Sequence, residues 1–556
     1  MTKECDKNHG IDLPSCATEF IRQVVRKMGY RRKARQEVEA ELTAYFEDEL
    51  RASTDVEERE SKAQQLVGRF GDAKLLAILC RRAKRRCRPF WAKAMVRTLQ
   101  AAGVFLMLLV FYVIWFVSGR PIVKVDYLAM LNQMSRPEIA DRDNAWPHYE
   151  RAIALAVEPS PELQTMSAFK HPTYAEHRDF AALSKETRDA IKDWLEAIQP
   201  AWQQIVIGAA KPYLSRTYEH PGDVNEPWLL GIMLPELATL RDLARAGMWR
   251  SRVSVEQGRI DEALADCLVV ARMGCHWQHG GTLIEQLVGL AFSKIACEEI
   301  LQIVQRGDLS GEALSDLQRN LAGIYSERYP LIDVQFERLA FLDVVQRVFT
   351  NEGLGGGHLI PSAMSSLAPT EGGDADWEGI PFWRTARSVL HARRDETVAK
   401  ASHIFDHLRE LAVMSPYEKR DQRVATIDNM VDSLPKHRYG LVEIMLPALD
   451  RVVELRFRGK AVHEATLTVL ALHRYHLEKG AYPTSLDELL HAGYVDSLPD
   501  DPYNDGPMAY RVTDSAFTLY SVGPDFEDDG GKMSTDREGR PKRWRENGDT
   551  VFWPVL

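Results

Sequence analysis

Asp525, Asp528 and Asp529 place three carboxylates within five residues, set among Gly523, Gly530 and Gly531. Carboxylates on a glycine-rich loop are hard oxygen donors on a chain free to bend. Calcium takes six to eight such oxygens from side chains and loop carbonyls. Like charges this close repel unless something screens them, so the run predicts a cation site. Other chemistry-bearing groups are weaker. His403 and His407 are spaced i, i+4 on a predicted helix. That spacing can chelate a metal, but the pair has no intervening Glu of the HExxH type and no third ligand, so it reads as a helical surface. His473 and His476 fall on the polar side of their predicted helix. Cys275, His276 and His279 form the densest Cys/His group. Gly355-Gly356-Gly357-His358 lacks the preceding strand and the Lys-Ser/Thr that a phosphate loop needs. There is no Ser/His/Asp order, no GxSxG and no Walker motif. No catalytic residue is assigned, no small-molecule substrate is identified, and an envelope hydrolase is the least supported reading.

The elements that must hold the acidic loop are legible. A helix is expected to start near Leu446, with Pro447 in its first turn, and to run to Lys479, with Gly459 as a weak point. Gly480 ends it and Pro483 prevents continuation. A short helix follows over Leu486 to Ala492. Asp500-Asp501-Pro502 and Asn504-Asp505-Gly506 are tight turns. Tyr510 to Val512 and Phe517 to Val522 alternate as strands joined by Thr513 to Ala516, and Thr550 to Trp553 adds a last one.

This order resembles the C-terminal half of the type II secretion major pseudopilin. The residues that carry the resemblance are His473-Arg474-Tyr475-His476 to Ala481-Tyr482-Pro483, then Asp500-Asp501-Pro502-Tyr503, then Tyr520-Ser521-Val522-Gly523-Pro524-Asp525 and Glu527-Asp528-Asp529-Gly530-Gly531. The resemblance covers roughly the last fifth of the chain. It implies calcium held by Asp525, Asp528 and Asp529, with Asp549 as an addition, fixing the C-terminal fold. The chain departs from the family in an insertion, Lys532 to Gly548, whose Arg and Lys residues are expected to compete for the site. It departs also in having no membrane-inserting pilin helix at the start of this region, which argues against a pilus subunit.

A separate anchor lies far upstream. Leu99 to Val117 contains no charge, close to the ~20 residues that cross ~30 Å of hydrocarbon. Arg81-Arg82-Ala83-Lys84-Arg85-Arg86-Cys87-Arg88 precedes it, whereas only Arg120 and Lys124 follow closely. The positive-inside rule puts the N-terminal side in the cytoplasm and the rest outside. The basic run beside a span suits anionic lipid headgroups. A net charge of −10 argues against a general nucleic-acid partner. The seven cysteines form no CxxC pair and read as free thiols.

Before the span, Phe20, Ile21, Val24 and Met28 recur at helical spacing. Lys33 to Leu50 is an acidic amphipathic helix, and Arg69-Phe70-Gly71-Asp72 breaks a third. This segment resembles the small cytoplasmic prefix domains of bacterial permeases. After the span the text is helical. Leu237 to Ala271, turning at Gly258, is similar to one tetratricopeptide hairpin, and Gly281 to Ile324 suggests a second. No fixed repeat period appears.

The expected fold is therefore mainly α and multidomain, with a single transmembrane helix and a small C-terminal α+β pseudopilin-like module. The expected divisions are a helical prefix with its basic run (1–97), the span (98–118), an extracytoplasmic helical-hairpin domain with a Gly/Pro-rich loop at 351–381 (119–440), and the module (441–556). The expected role is a single-pass inner-membrane scaffold meeting protein or envelope partners outside. An accessory component of a type II secretion-like apparatus is the runner-up.

Overall fold

The computed structural model describes residues 12–86, 90–135, 140–166, 169, 179–219, 228–232, 234–307, 309–325, 329–363, 388–446, 449–513 and 515–555. Pro447, Cys5, Cys87 and most of the 351–381 loop lie outside these residues. The chain forms two compact units, Met1–Phe116 and Val117–Leu556.

In the first unit, α1 (Ser15–Lys27), α2 (Arg32–Leu50), α3 (Val56–Phe70) and α4 (Ala73–Arg86) enclose one core. Phe20, Val24, Val38, Phe46, Leu50 and Leu66 fill it. The Asp55 side chain caps α3, satisfying one of the free N–H groups of a helix start. Gly71 ends α3 at φ +73°, where a Cβ would be strained. The acidic face of α2 is not wholly solvated, because Glu37 and Glu41 both accept from Lys84 of α4, at 3.1 and 2.8 Å. Helix α5 runs Phe90–Val117. Its stretch Ala94–Val117 has a mean hydropathy of 2.2 and is long and apolar enough to cross a membrane.

The second unit is mainly helical. Helices α6 (Tyr127–Met134), α7 (Trp146–Leu155) and α8 (Gln199–Ala209) lead to three long antiparallel neighbours. These are α9 (Glu236–Glu256), α10 (Ile260–Gln278) and α11 (Leu283–Arg306). The α9–α10 turn uses Gly258 at φ +72°, as the hairpin reading expects. Thr282 and Glu285 form a reciprocal capping box at the start of α11. Helices α10 and α11 approach so closely that Gly274 and Gly289 face each other. A Cβ at Gly274 would lie 2.2 Å from Ser293 Oγ, and one at Gly289 would lie 2.6 Å from Gly274 O.

Two buried arginines of this region are paired, whereas the indole N–H groups of Trp249 and Trp277 are buried without a hydrogen-bond acceptor among the described residues. Arg252 meets Glu299 at 2.8–3.1 Å. Arg216 bridges Glu236 and Glu285 and lies over the rings of Trp146 and Tyr218 at 5.0 and 4.6 Å. Such pairs must be closed on all sides, because a buried charge without a partner is costly.

Helices α12 (Gly311–Gly323), α13 (Gln335–Val348), α14 (Arg394–Leu411) and α15 (Lys436–Met445) follow, then α16 (Leu449–Lys479) and α17 (Leu486–His491). The C-terminal region thus opens on two helices, and α16 runs unbroken through Gly459. That glycine is needed because Tyr329 Oη would sit 2.8 Å from a Cβ there. A small antiparallel sheet closes the chain, in the order β1 (Ala509–Val512), β2 (Phe517–Ser521), β3 (Thr550–Trp553). Its register shifts between Leu519 and Tyr520.

Two cores meet on α16. Leu449, Val452 and Val453 belong to one, with Phe341, Phe349, Phe405 and Leu441. Ala461, Val462, Ala465, Val469 and Leu472 belong to the other, which also takes Trp202, Trp249 and Trp277 from the helices and Phe517, Leu519 and Phe552 from the sheet. The segment 441–556 thus shares its core with 145–321. The end of the chain is tied to α11, since Gln305 donates to Val555 O at 3.0 Å and accepts from Val555 N at 2.7 Å.

Gly274→Ala is expected to lower stability by about 1–3 kcal/mol through forced separation of α10 and α11. Gly68→Ala, on an open face of α3, is expected to stabilise slightly by removing a helix-interior glycine. Urea denaturation of both variants checks the contrast.

Candidate functional site: the C-terminal acidic loop

The site rests on the turn that precedes the sheet. Asp501 is almost fully buried. Its Oδ1 accepts from Ser521 Oγ at 2.6 Å and from Tyr503 N at 3.0 Å, and its Oδ2 accepts from Val522 N at 2.9 Å. Burial raises its pKa against these donors, which favour the ionised form. Tyr503 points the other way. Its hydroxyl donates to Glu454 at 2.6 Å and accepts from Arg458 Nε at 2.7 Å, both on α16. The Asp-Pro-Tyr turn therefore clamps the end of β2 to the long helix. The sequence marks Asp501 as a turn residue and as part of the Asp-Asp-Pro-Tyr motif, with no sign of its role as a buried acceptor. The order of Asp501-Pro502-Tyr503 before Tyr520-Ser521 is the available signal, but the partner lies twenty residues away.

Beyond β2, Gly523 turns at φ +82°, and a Cβ there would lie 2.9 Å from Gly548 O. This close approach brings the acidic loop back against the start of β3. Asp525 accepts from Gly548 N at 2.9 Å and from Glu527 N at 3.2 Å. Asp528 accepts from Tyr520 Oη and Gly530 N, both at 2.9 Å. Asp549 has no exposed surface and accepts from Gly531 N at 2.6 Å and Asp529 N at 3.3 Å. Burial, joined by the charges of Asp528 and Asp529, pushes Asp549 up to about 6 against those two N–H donors. Asp528, Asp529 and Asp549 thus share one electrostatic neighbourhood, while Asp525 fastens the loop to Gly548. Among the described residues no three carboxylate, imidazole or thiol groups are set around a common point as metal ligands. The donors suit a hard cation by type, and Gly530 and Gly531 both take positive φ.

Two arginines of the insertion expected to compete for the site are engaged elsewhere. Arg540 pairs with Asp536 and Glu538, and Arg543 with Glu298 of α11 at 3.1 Å. Arg511 of β1 lies 3.7 Å from Asp528, and Arg420 lies 4.4 Å from the ring of Phe526 in the same loop.

The remaining groups have structural partners. His276 is buried, with Nδ1 2.7 Å from Tyr149 Oη and Nε2 2.9 Å from Lys211 O. Its Nε2 must carry the proton to serve the carbonyl, so Nδ1 accepts from the tyrosine. Burial draws its pKa down to about 4. Cys275 donates to Ile324 O, and the thiols of Cys16, Cys80, Cys267, Cys275 and Cys297 are free. His407 is held by Ala425 O and Glu410. His473 does not lie on a polar face. Its ring packs 4.8 Å from Trp553 and 5.6 Å from Phe517, and burial draws its pKa down to about 4. The sheet, docked from far along the sequence, covers that side of α16. A cleft of about 400 Å³ beside the Asp-Pro-Tyr turn is lined by Arg456, Lys460 and Asp505, but Lys460 is already paired with Glu464 and Asp500.

No family model, no curated protein and no solved structure matches the chain.

Asp501→Ala is expected to destabilise the protein by roughly 2–4 kcal/mol, leaving Ser521 Oγ and Val522 N without a buried acceptor. Asp501→Asn, which keeps a carbonyl acceptor, is expected to lose less. Denaturant midpoints order the variants, and equal midpoints for Asp501→Ala and the parent would refute the clamp.

Proposed function

We propose that the protein is a single-pass, membrane-anchored scaffold. Its prefix lies in the cytoplasm, and its larger unit stands outside and binds protein or envelope partners. The observation that carries this reading is Ala94–Val117, an apolar helix with only 6% of its span window buried. A soluble core helix of that composition would be covered. The basic run before it sets the direction. The long helix, short helix and three-stranded sheet support the pseudopilin-like reading of the C-terminal region.

In this reading calcium stiffens the acidic loop. Asp528, Asp529 and Asp549 would hold the ion with loop carbonyls, and Asp525 would keep the loop closed on Gly548. A bound cation would offset the burial, and the smaller repulsion from Asp528 and Asp529, that lift Asp549, and it supplies a fixed positive charge.

Orientation is tested with reporter fusions in a bacterial host. A phosphatase fused after residue 556 is expected to be active, and one fused at residue 80 inactive. The reverse pattern overturns the assignment.

The pH dependence of the metal site has a definite sign. A carboxyl raised to about 6 in the fold, against ~3.9 when unfolded, stabilises the folded state when protonated. That contribution is complete below the unfolded value and is lost as pH rises through about 6. Without metal, the contribution of Asp549 should therefore lower Tm between about pH 5 and about pH 7.5, and calcium should compete with the proton. Millimolar calcium is expected to raise the Tm of the full chain more at the higher pH. Asp549→Asn should abolish most of the calcium shift. No calcium shift at either pH would remove the metal.

A further inference from the structure

We propose that the exposed strip from Arg120 to Asp126, together with the exposed pair Val389 and Leu390, rests in the interfacial layer of a phospholipid bilayer. This rests on the reading of Ala94–Val117 as a span. The strip is not a loose linker. Pro121 pairs with Thr350 in an antiparallel bridge. Lys124 N and Val125 N donate to Gln346 Oε1 at 3.1 and 3.2 Å, and Gln346 Nε2 donates to Val125 O at 2.9 Å. Asp126 then caps α6. The backbone is thus fixed to α13, and Ile122, Val123 and Val125 remain 44%, 38% and 39% exposed. A pinned segment that holds three adjacent β-branched apolar side chains out of the core offers a surface that an apolar phase can cover.

A second exposed apolar pair has the same character. Thr350 follows Phe349, whose ring lies 5.7 Å from that of His391. Just before His391, Val389 and Leu390 are 46% and 58% exposed. Exposed cations alternate with these groups at Arg120, Lys124 and Arg393. Apolar side chains interleaved with Lys and Arg are what an interfacial segment presents, the first entering the acyl boundary and the second meeting phosphate.

The occupant follows from the tether. Ile122 is five residues beyond Val117. Fully extended, five residues reach at most about 17 Å, so this strip stays near the end of the span. A protein partner would have to enter that narrow space, whereas lipid is already there.

The test uses the full chain in nanodiscs of phosphatidylethanolamine and phosphatidylglycerol carrying a clickable acyl tag. A photo-crosslinking residue is placed singly at Leu108, Ile122, Leu390 and Leu477. Leu108 reports the span. Leu477 is an equally exposed leucine, about 40 Å along α16 from Leu449 at ~1.5 Å per residue. Lipid adducts at Leu108, and at Ile122 and Leu390 several-fold above Leu477, support the proposal. Adducts at Leu108 with Ile122 and Leu390 no higher than Leu477, or crosslinked to protein instead, overturn it and leave the span standing. No adduct at Leu108 removes the span and the proposal together.

Discussion

The larger unit depends on one helix being buried from Leu449 to Leu472. Leu449–Lys479 carries covered side chains on several faces, including Val453, Arg456, Val462, Ala465, His463 and Leu472. A helix with no consistent polar stripe must be surrounded. Here one end is wrapped by the 335–445 helices and the other by the 236–323 helices and the sheet. Both cores therefore share a strut, and a disturbance at Gly459 or Arg456 reaches each of them. Arg456 shows how closely the strut is fitted, with its Nε donating to Pro330 O at 2.9 Å.

Around this helix the C-terminal region solves a problem of negative charge. Asp501 is buried with three donors and serves as a fixed acceptor. Asp549 is buried beside two more aspartates and is held only by backbone N–H groups. The same residue type is thus a structural clamp in one place and an electrostatic tension in another. The difference lies in the neighbours. Burial raises both, but Ser521 and Val522 donate to the first, whereas Asp528 and Asp529 add their repulsion at the second. A carboxylate under such repulsion favours any proton or cation that can reach it.

Local signals made much of this legible in the sequence. Gly258, Gly71 and Gly480 mark turns where positive φ is required, and the strands over 509–512, 517–521 and 550–553 follow alternation and turn chemistry. The three loop aspartates were visible as a cluster. Contacts between distant segments were not legible. The meeting of Gly274 with Gly289, the clamp from Asp501 to Ser521 and the covering of His473 by Trp553 each join elements whose proximity no local period encodes. Helical register alone places His473 on a polar face, and only the docked sheet reverses that. The pairing of Arg543 with Glu298, some 245 residues away, is illegible for the same reason.

The tie between Gln305 and Val555 has a consequence in time. The helical core over 145–321 takes Phe552, Trp553 and Val555 from a segment synthesised long after its own helices. At 5–20 residues per second, the chain between Leu321 and Trp553 takes on the order of 10–50 s to emerge. For that interval the nascent helices stand with one side of their core open. Losing the segment that carries Phe552 and Trp553 would leave that side of the core open even with every helix of 145–321 intact.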